Sequence, residues 1–206
     1  MATHQKTIIG MNKTITKEEI DALPQKSFDG KISIPLTEYE IEEAVDYLRN
    51  YSILGFDTET RPNFLKGQRH KVALLQLSTD EHAYLFRINK IGLPKSVISI
   101  LTDNTILKVG AAIHDDIKAL RKINEFTPDG FVDLQTIAHQ VGIEHSGLKP
   151  LSALLLGFKI SKSQQTSNWE NIYLSEAQQR YAATDAWVSL EIYKKLTELS
   201  GETTEI

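Results

Sequence analysis

The sequence predicts an α/β domain built on a mixed sheet, and three observations carry that prediction. Runs rich in β-branched and aromatic residues lie close together near 52–57, 71–78 and 83–88, joined by short polar loops as in antiparallel hairpins. Farther along, the strand-like runs "TILKVG" and "GFVDL" alternate with helical stretches, the pattern of parallel crossovers. In the helical stretches, apolar residues recur at three- and four-residue spacing.

Taken in order, residues 1–30 are polar, lack a strong period and contain "LPQKSFDGK", so they read as an extended N-terminal arm before a domain spanning 31–200 and a short tail at 201–206. "LTEYEIEEAVDYLRNY" is helical, with Ile41, Ala44, Val45 and Leu48 on one stripe. "RPNFLKGQRH" and "TDEH" are the loops between the first three strands. A helix near 94–102 precedes "TILKVG", and another begins at about 114 before "GFVDL". Two helices follow near 134–141 and 148–156, the second stopped by Gly157. A long helix over 175–198 closes the fold. No internal repeat or low-complexity segment interrupts this order.

A chain of 206 residues suits one domain with a sizeable core. It contains no cysteine, which excludes a disulfide framework and any cysteine-based zinc site and fits a reducing compartment. The N-terminal stretch has no long apolar core, so neither a signal peptide nor a membrane span is expected, and a soluble, cytoplasmic protein is. A net charge of −4 argues against wholesale coating of nucleic acid, yet it leaves room for a local basic groove.

The chemistry begins at "ILGFDTET", residues 53–60. Asp57 and Glu59 are two apart on a strand, so both point to one face with their Cα atoms roughly 7 Å apart. Like charges that close repel, and one left buried and unpaired costs several kcal/mol. In "AAIHDDIKALRKIN" the apolar arc runs through Ala112, Ile113, Ile117, Ala119, Leu120 and Ile123. Asp116 falls near its middle, whereas Asp115 points outside it as an ordinary first-turn acid. The final helix carries Tyr181, Asp185, Val188 and Ile192 on one stripe, placing a phenol one turn from another inward acid. A buried tyrosine is usually a packing residue, but beside Asp185 the two share a site. No Lys or Arg lies on either apolar arc to neutralise these acids. Four inward carboxylates on three elements therefore call for a pair of divalent cations, and hard oxygen donors suit Mg²⁺ or Mn²⁺. Two such ions about 4 Å apart clamp a phosphodiester for in-line attack by water.

"FDTET", "VGAAIHDDIKAL" and "YAATDAW" stand in the order of the three motifs of the DEDDy 3′–5′ exonucleases, which this sequence resembles. "KVALLQLS" and "LKPLSALLLGFKISKSQQTSNW" are similar to the exonuclease domain of the Werner helicase and its RNase D relatives, and the resemblance covers about residues 32–198. It implies a ribonuclease-H-like fold, a mixed five-stranded sheet flanked by helices. It further implies that Asp57, Glu59 and Asp185 ligate the metal that activates water, that Asp57 bridges to a second metal, and that Asp116 supports that second ion. Tyr181 would orient the attacking water. The implied substrate is a DNA or RNA 3′ end, single-stranded or frayed, with nucleoside 5′-monophosphates as product; no membrane and no obligate protein partner are indicated. Some relatives carry an aromatic residue two positions after the second aspartate, where this sequence has Lys118.

The remaining candidates are weaker. In "LKGQRHK", Lys66 reads as a solvated turn residue, while Arg69 or Lys71 is placed to touch a phosphate. Lys159, Lys162, Ser163 and Gln164 either flank the substrate groove or form a polar connection; Lys162 is the groove candidate. Trp169 reads as core rather than as a base-stacking platform. His114 reads as solvent-facing, and neither His139 nor His145 has the spacing of a metal site. Two other functions compete. A haloacid-dehalogenase-type phosphatase would use Asp57 as nucleophile but leaves Tyr181 and Asp185 without a role. A non-catalytic nucleic-acid-binding module would be supported by loss of a ligand, and none is lost.

Overall fold

Where the sequence reads as an extended arm, the computed structural model, which describes residues 13–63 and 70–200, contains helix α1 (Lys17–Ala22). Thr16 accepts a hydrogen bond from the Glu19 N–H, and the Glu19 carboxylate accepts one from the Thr16 N–H. This capping box holds six residues that bury only Ile20, too few for a period to show. Strand β1 (Lys31–Ser33) is a second addition, and α2 (Glu38–Leu48) follows behind another capping box, Thr37 with Glu40. The stripe on α2 that buries Ile41, Ala44, Val45 and Leu48 is the expected one.

Next come β2 (Ile53–Thr60), β3 (Val72–Ser78) and β4 (His82–Phe86), a one-turn helix α3 (Ile88–Ile91), and α4 (Lys95–Leu101). Strand β5 (Leu107–Gly110) leads into α5 (His114–Arg121), and β6 (Phe131–Asp133) into α6 (Leu134–Gln140) and α7 (Leu148–Leu156). Gly157 ends α7 in the left-handed region at φ 71. The last described element is α8 (Glu176–Ser200). None of the described helices is long and apolar enough to cross a membrane.

The sheet is mixed and six-stranded, in the order β1-β4-β3-β2-β5-β6. Strands β2, β3 and β4 form an antiparallel meander, whereas β1–β4, β2–β5 and β5–β6 are parallel pairs. The sixth strand beyond the expected five is β1, whose three residues are too short for alternation to mark it. Central β2 stands where the two kinds of pairing meet. It pairs with β5 only through Ile53–Gly55, so Asp57 and the residues after it run past the end of β5. A strand end projecting at such a reversal leaves a crevice for a ligand.

The two faces of β2 do different things. Phe56 packs into the core of α2, α4 and α5 residues and meets Phe131 edge-on at 5.2 Å. The opposite face, with Gly55, Asp57 and Glu59, lies against α8. A Cβ at Gly55 would stand 1.9 Å from the Ala186 carbonyl oxygen, so only glycine lets the helix settle there. Buried Ala182, Ala183 and Ala186 keep that contact close.

Candidate metal and nucleic-acid site

Two local devices aim the acids. The β2–β3 register slips between Glu59 and Thr60, a bulge that redirects the end of β2 as the strand leaves the sheet. At the other wall, Ser175 and Gln178 cap α8 reciprocally, with Gln178 N–H donating to Ser175 Oγ at 3.2 Å and Ser175 N–H to Gln178 Oε1 at 3.1 Å. That start sets the rotation of the helix, so Tyr181 and Asp185 face the strand end.

Asp57, Glu59 and Asp185 each offer a carboxylate oxygen, and these oxygens lie within 4.8 Å of one another. Glu59 and Asp185 are buried, while Asp57 is partly open to the cleft. Burial, then the charges of Asp185 and Asp116, push the Asp57 carboxyl well above the usual carboxylate range. Burial, then Asp57 and Asp185, raises Glu59 in the same way. Burial lifts Asp185 to about 7, partly offset by the Tyr181 hydroxyl and by Lys162. The Tyr181 phenol is raised by its own burial and by the adjacent acids, so it stays protonated at any ordinary pH. None of the three acids is ion-paired with Lys or Arg among the described residues. Three oxygen donors without a protein cation fit a hard divalent ion, and the cluster is able to bind one.

Asp116 does not join the three. It sits half-buried in the first turn of α5, where its Oδ1 accepts a hydrogen bond from the Thr58 hydroxyl. Burial raises its carboxyl, an effect the Thr58 hydrogen bond offsets only in part. Asp115 and His114 are exposed, and so is Lys118. Just before α5, Ala112 adopts the left-handed region at φ 58, and its N–H donates to Asp133 Oδ1 at 3.1 Å. Strain of this kind collects at functional sites.

The acids line a cleft of about 300 Å³ together with Gln135, Lys149, Lys162 and Gln165. Lys162 thus shares the cleft with the acids, and its charge is felt by Asp185. Lys71 is exposed just before β3 and does not line it. Arg69 and Lys66 lie outside the described residues. Lys159 turns away, donating to the Asp21 carbonyl, and Trp169 is wholly buried against Leu74, Ala182 and Ala183. His145 Nε2 accepts the Ile15 N–H at 2.9 Å, and His139 is exposed.

Several residues at the site carry no signal in the sequence. Thr58 looks like filler between two acids. Gln76 is the cross-strand partner of Asp57 on the same face, fully buried, with neither side-chain polar atom hydrogen-bonded among the described residues. Glu170 ties both ends of the loop after β2, accepting from Arg61 Nη1 at 3.2 Å and lying 3.1 Å from His70 Nδ1.

Comparison with known proteins places this arrangement. A family model described as 3′–5′ exonuclease matches residues 32–200. The bifunctional 3′–5′ exonuclease/ATP-dependent helicase WRN of Mus musculus is 33% identical over 199 residues, which is 90% of this chain and 14% of that protein. Exonuclease 3′-5′ domain-containing protein 2 of Drosophila melanogaster is 31% identical over 180 residues, covering 84% of this chain and 30% of its own length. The chain thus spans well under half of either relative. Among solved structures, the Nibbler EXO domain of Aedes aegypti superposes with a TM-score of 0.77 at 24% identity, over 87% of this chain and 94% of that one, so the fold is shared. From strand order to motif order, the chain belongs to the 3′–5′ exonuclease family.

Proposed function

We propose that the protein is a metal-dependent 3′–5′ exonuclease that hydrolyses DNA or RNA phosphodiesters from single-stranded or frayed 3′ ends, releasing nucleoside 5′-monophosphates. The observation that carries this reading is the Asp57, Glu59 and Asp185 cluster, three acids ion-paired with no Lys or Arg among the described residues, beside a phenol at the edge of an open cleft. Asp57, Glu59 and Asp185 would hold one divalent ion, Mg²⁺ or Mn²⁺; Asp57 and Asp116 would serve a second. When bound, such a pair supplies charge neutralisation and an acidified water.

The chain's own residues do the rest. Tyr181 keeps its proton and so orients water through its hydroxyl rather than acting as a base. Lys162, which lines the same cleft, meets the phosphate charge of the strand. Arg69 and Lys71 extend that contact along the loop after β2. The catalytic unit corresponds to residues 31–200, and the absence of cysteine suits a cytoplasmic location.

The test is incubation of 5′-labelled single-stranded and duplex DNA and RNA with Mg²⁺, Mn²⁺ or EDTA, beside Asp57→Ala. A metal-dependent ladder shortening from the 3′ end, absent in the variant, is the expected result. Absence of cleavage on every substrate in both metals would leave a binding module in its place.

A further inference from the structure

A second cavity, of about 220 Å³, shares two lining residues with the cleft: Tyr181 and Ser161 line both. Its outer wall is residues 25–27, the part of the chain that reads as an arm. The segment is fastened as part of the domain. Phe28 is buried, its N–H donates to Thr184 Oγ1 at 2.9 Å, and its carbonyl accepts from Arg180 Nη1 at 2.7 Å. On the other side the Lys26 N–H donates to the Lys159 carbonyl, and the Lys159 N–H to the Pro24 carbonyl, each at 3.0 Å.

The chemistry of this cavity is the reverse of the cleft's. No carboxylate lines it, and Lys26 and Arg180 do. Neither cation is ion-paired with a carboxylate among the described residues. Lys26 Nζ is held 5.1 Å from the centroid of the Phe158 ring, which orders the ammonium without neutralising it. Ser161 Oγ donates to Ser163 Oγ at 2.9 Å, leaving the Ser163 hydroxyl hydrogen to donate elsewhere. Arg180 spends one nitrogen on Phe28, and the rest of its fork remains for an oxyanion. Cations and hydroxyls around a pocket continuous with an acidic metal cluster match the alternation along a nucleic-acid strand, whose reacting phosphate needs metal and whose other phosphates need protein cations.

We infer that the cavity between residues 25–27, Ser163 and Arg180 binds a backbone phosphate of the strand whose 3′ end occupies the cleft. This rests on the exonuclease reading above. Residues 25–27 lie outside the residues 32–200 that match the family model, whereas Ser163 and Arg180 lie within them.

Lys26→Gln combined with Ser163→Ala tests it, both residues being exposed and removable without opening the core. The probe is a 5′-labelled single-stranded oligonucleotide, bound to an Asp57→Asn background in EDTA over a range of salt, and hydrolysed by the otherwise wild-type chain. The expected result is a salt slope shallower by about 0.7, one phosphate contact on a single strand, and KM raised about fivefold, with the change carried in KM rather than in kcat. An unaltered salt slope and KM would overturn the inference. The p-nitrophenyl ester of thymidine 5′-monophosphate, offered to the wild type with Mn²⁺, checks the chemistry separately. Hydrolysis of the ester with no effect of the double variant on the oligonucleotide removes only the subsite; hydrolysis of neither substrate removes the exonuclease reading.

Discussion

Thr58 donates its hydroxyl hydrogen to Asp116 Oδ1, joining β2 at the acid cluster to the first turn of α5. The residue between Asp57 and Glu59 therefore reaches the acid that those two do not. Asp116 is in turn felt by Asp57, whose carboxyl it raises. Thr58→Val keeps the shape and removes the donor. Activity is expected to fall about 10–100-fold, the usual cost of losing a partner that orients a metal-site acid, at a stability cost of about 1 kcal/mol. Thr58→Ser should restore most of the activity in steady-state assays. A Val variant as active as the wild type would sever Asp116 from the chemistry.

The three acids also set how stability responds to pH. Their folded-state pKa values are raised above the unfolded ones, Asp185 to about 7. Such groups stabilise the metal-free fold below the unfolded pKa, near 4, and lose that contribution as pH rises through the folded pKa. In EDTA, stability should fall from about pH 4 through about 7, where Asp185 titrates, and on towards about 10, where Glu59 does, by at most about 1.4 kcal/mol per pH unit for each proton released. Asp57→Asn relieves the repulsion, so it should raise metal-free stability by about 0.5–2 kcal/mol and abolish the Mn²⁺-induced rise in Tm. Denaturation midpoints with and without Mn²⁺ measure both.

Tyr181→Phe deletes one oxygen and keeps the ring packed 6.0 Å from Trp169. If the hydroxyl only orients water, kcat should drop about 100-fold with KM within about twofold. A matching rise in KM would make the phenol a substrate contact instead.

Gly55→Ala tests the seat of α8 on β2. The added Cβ meets the Ala186 carbonyl oxygen at 1.9 Å, a backbone atom that cannot swing aside. Loss of about 3 kcal/mol or more is expected in urea denaturation. Metal affinity by calorimetry should weaken with it, because Asp185 adjoins the displaced residue.

The elements that alternate or repeat were legible before any coordinates. The α2 stripe, the apolar run of β3 and the glycine stop after α7 each carry a local signal. So did Asp57, Glu59, Asp116, Tyr181 and Asp185, because an acid on an inward stripe contradicts its surroundings. The short pieces were not legible: α1 buries one residue and β1 has three, below what any period can show. Nor were the contacts made at long range. Glu170 meets Arg61 and His70 across a hundred residues of chain or more, and Thr58 meets Asp116 across 58. Sequence spacing placed Asp116 among the inward acids; only the turn at Ala112 and the Thr58 bond show it standing at one remove.

Helix α8 follows every other described element and brings Tyr181 and Asp185 to a strand completed early in the chain. A ribosome that has finished β2 has made two acids and neither of the groups that complete their set. Domains generally fold as units during synthesis, so the fragment emerging before α8 carries no assembled centre. The three-acid cluster is therefore incomplete until α8 docks against β2.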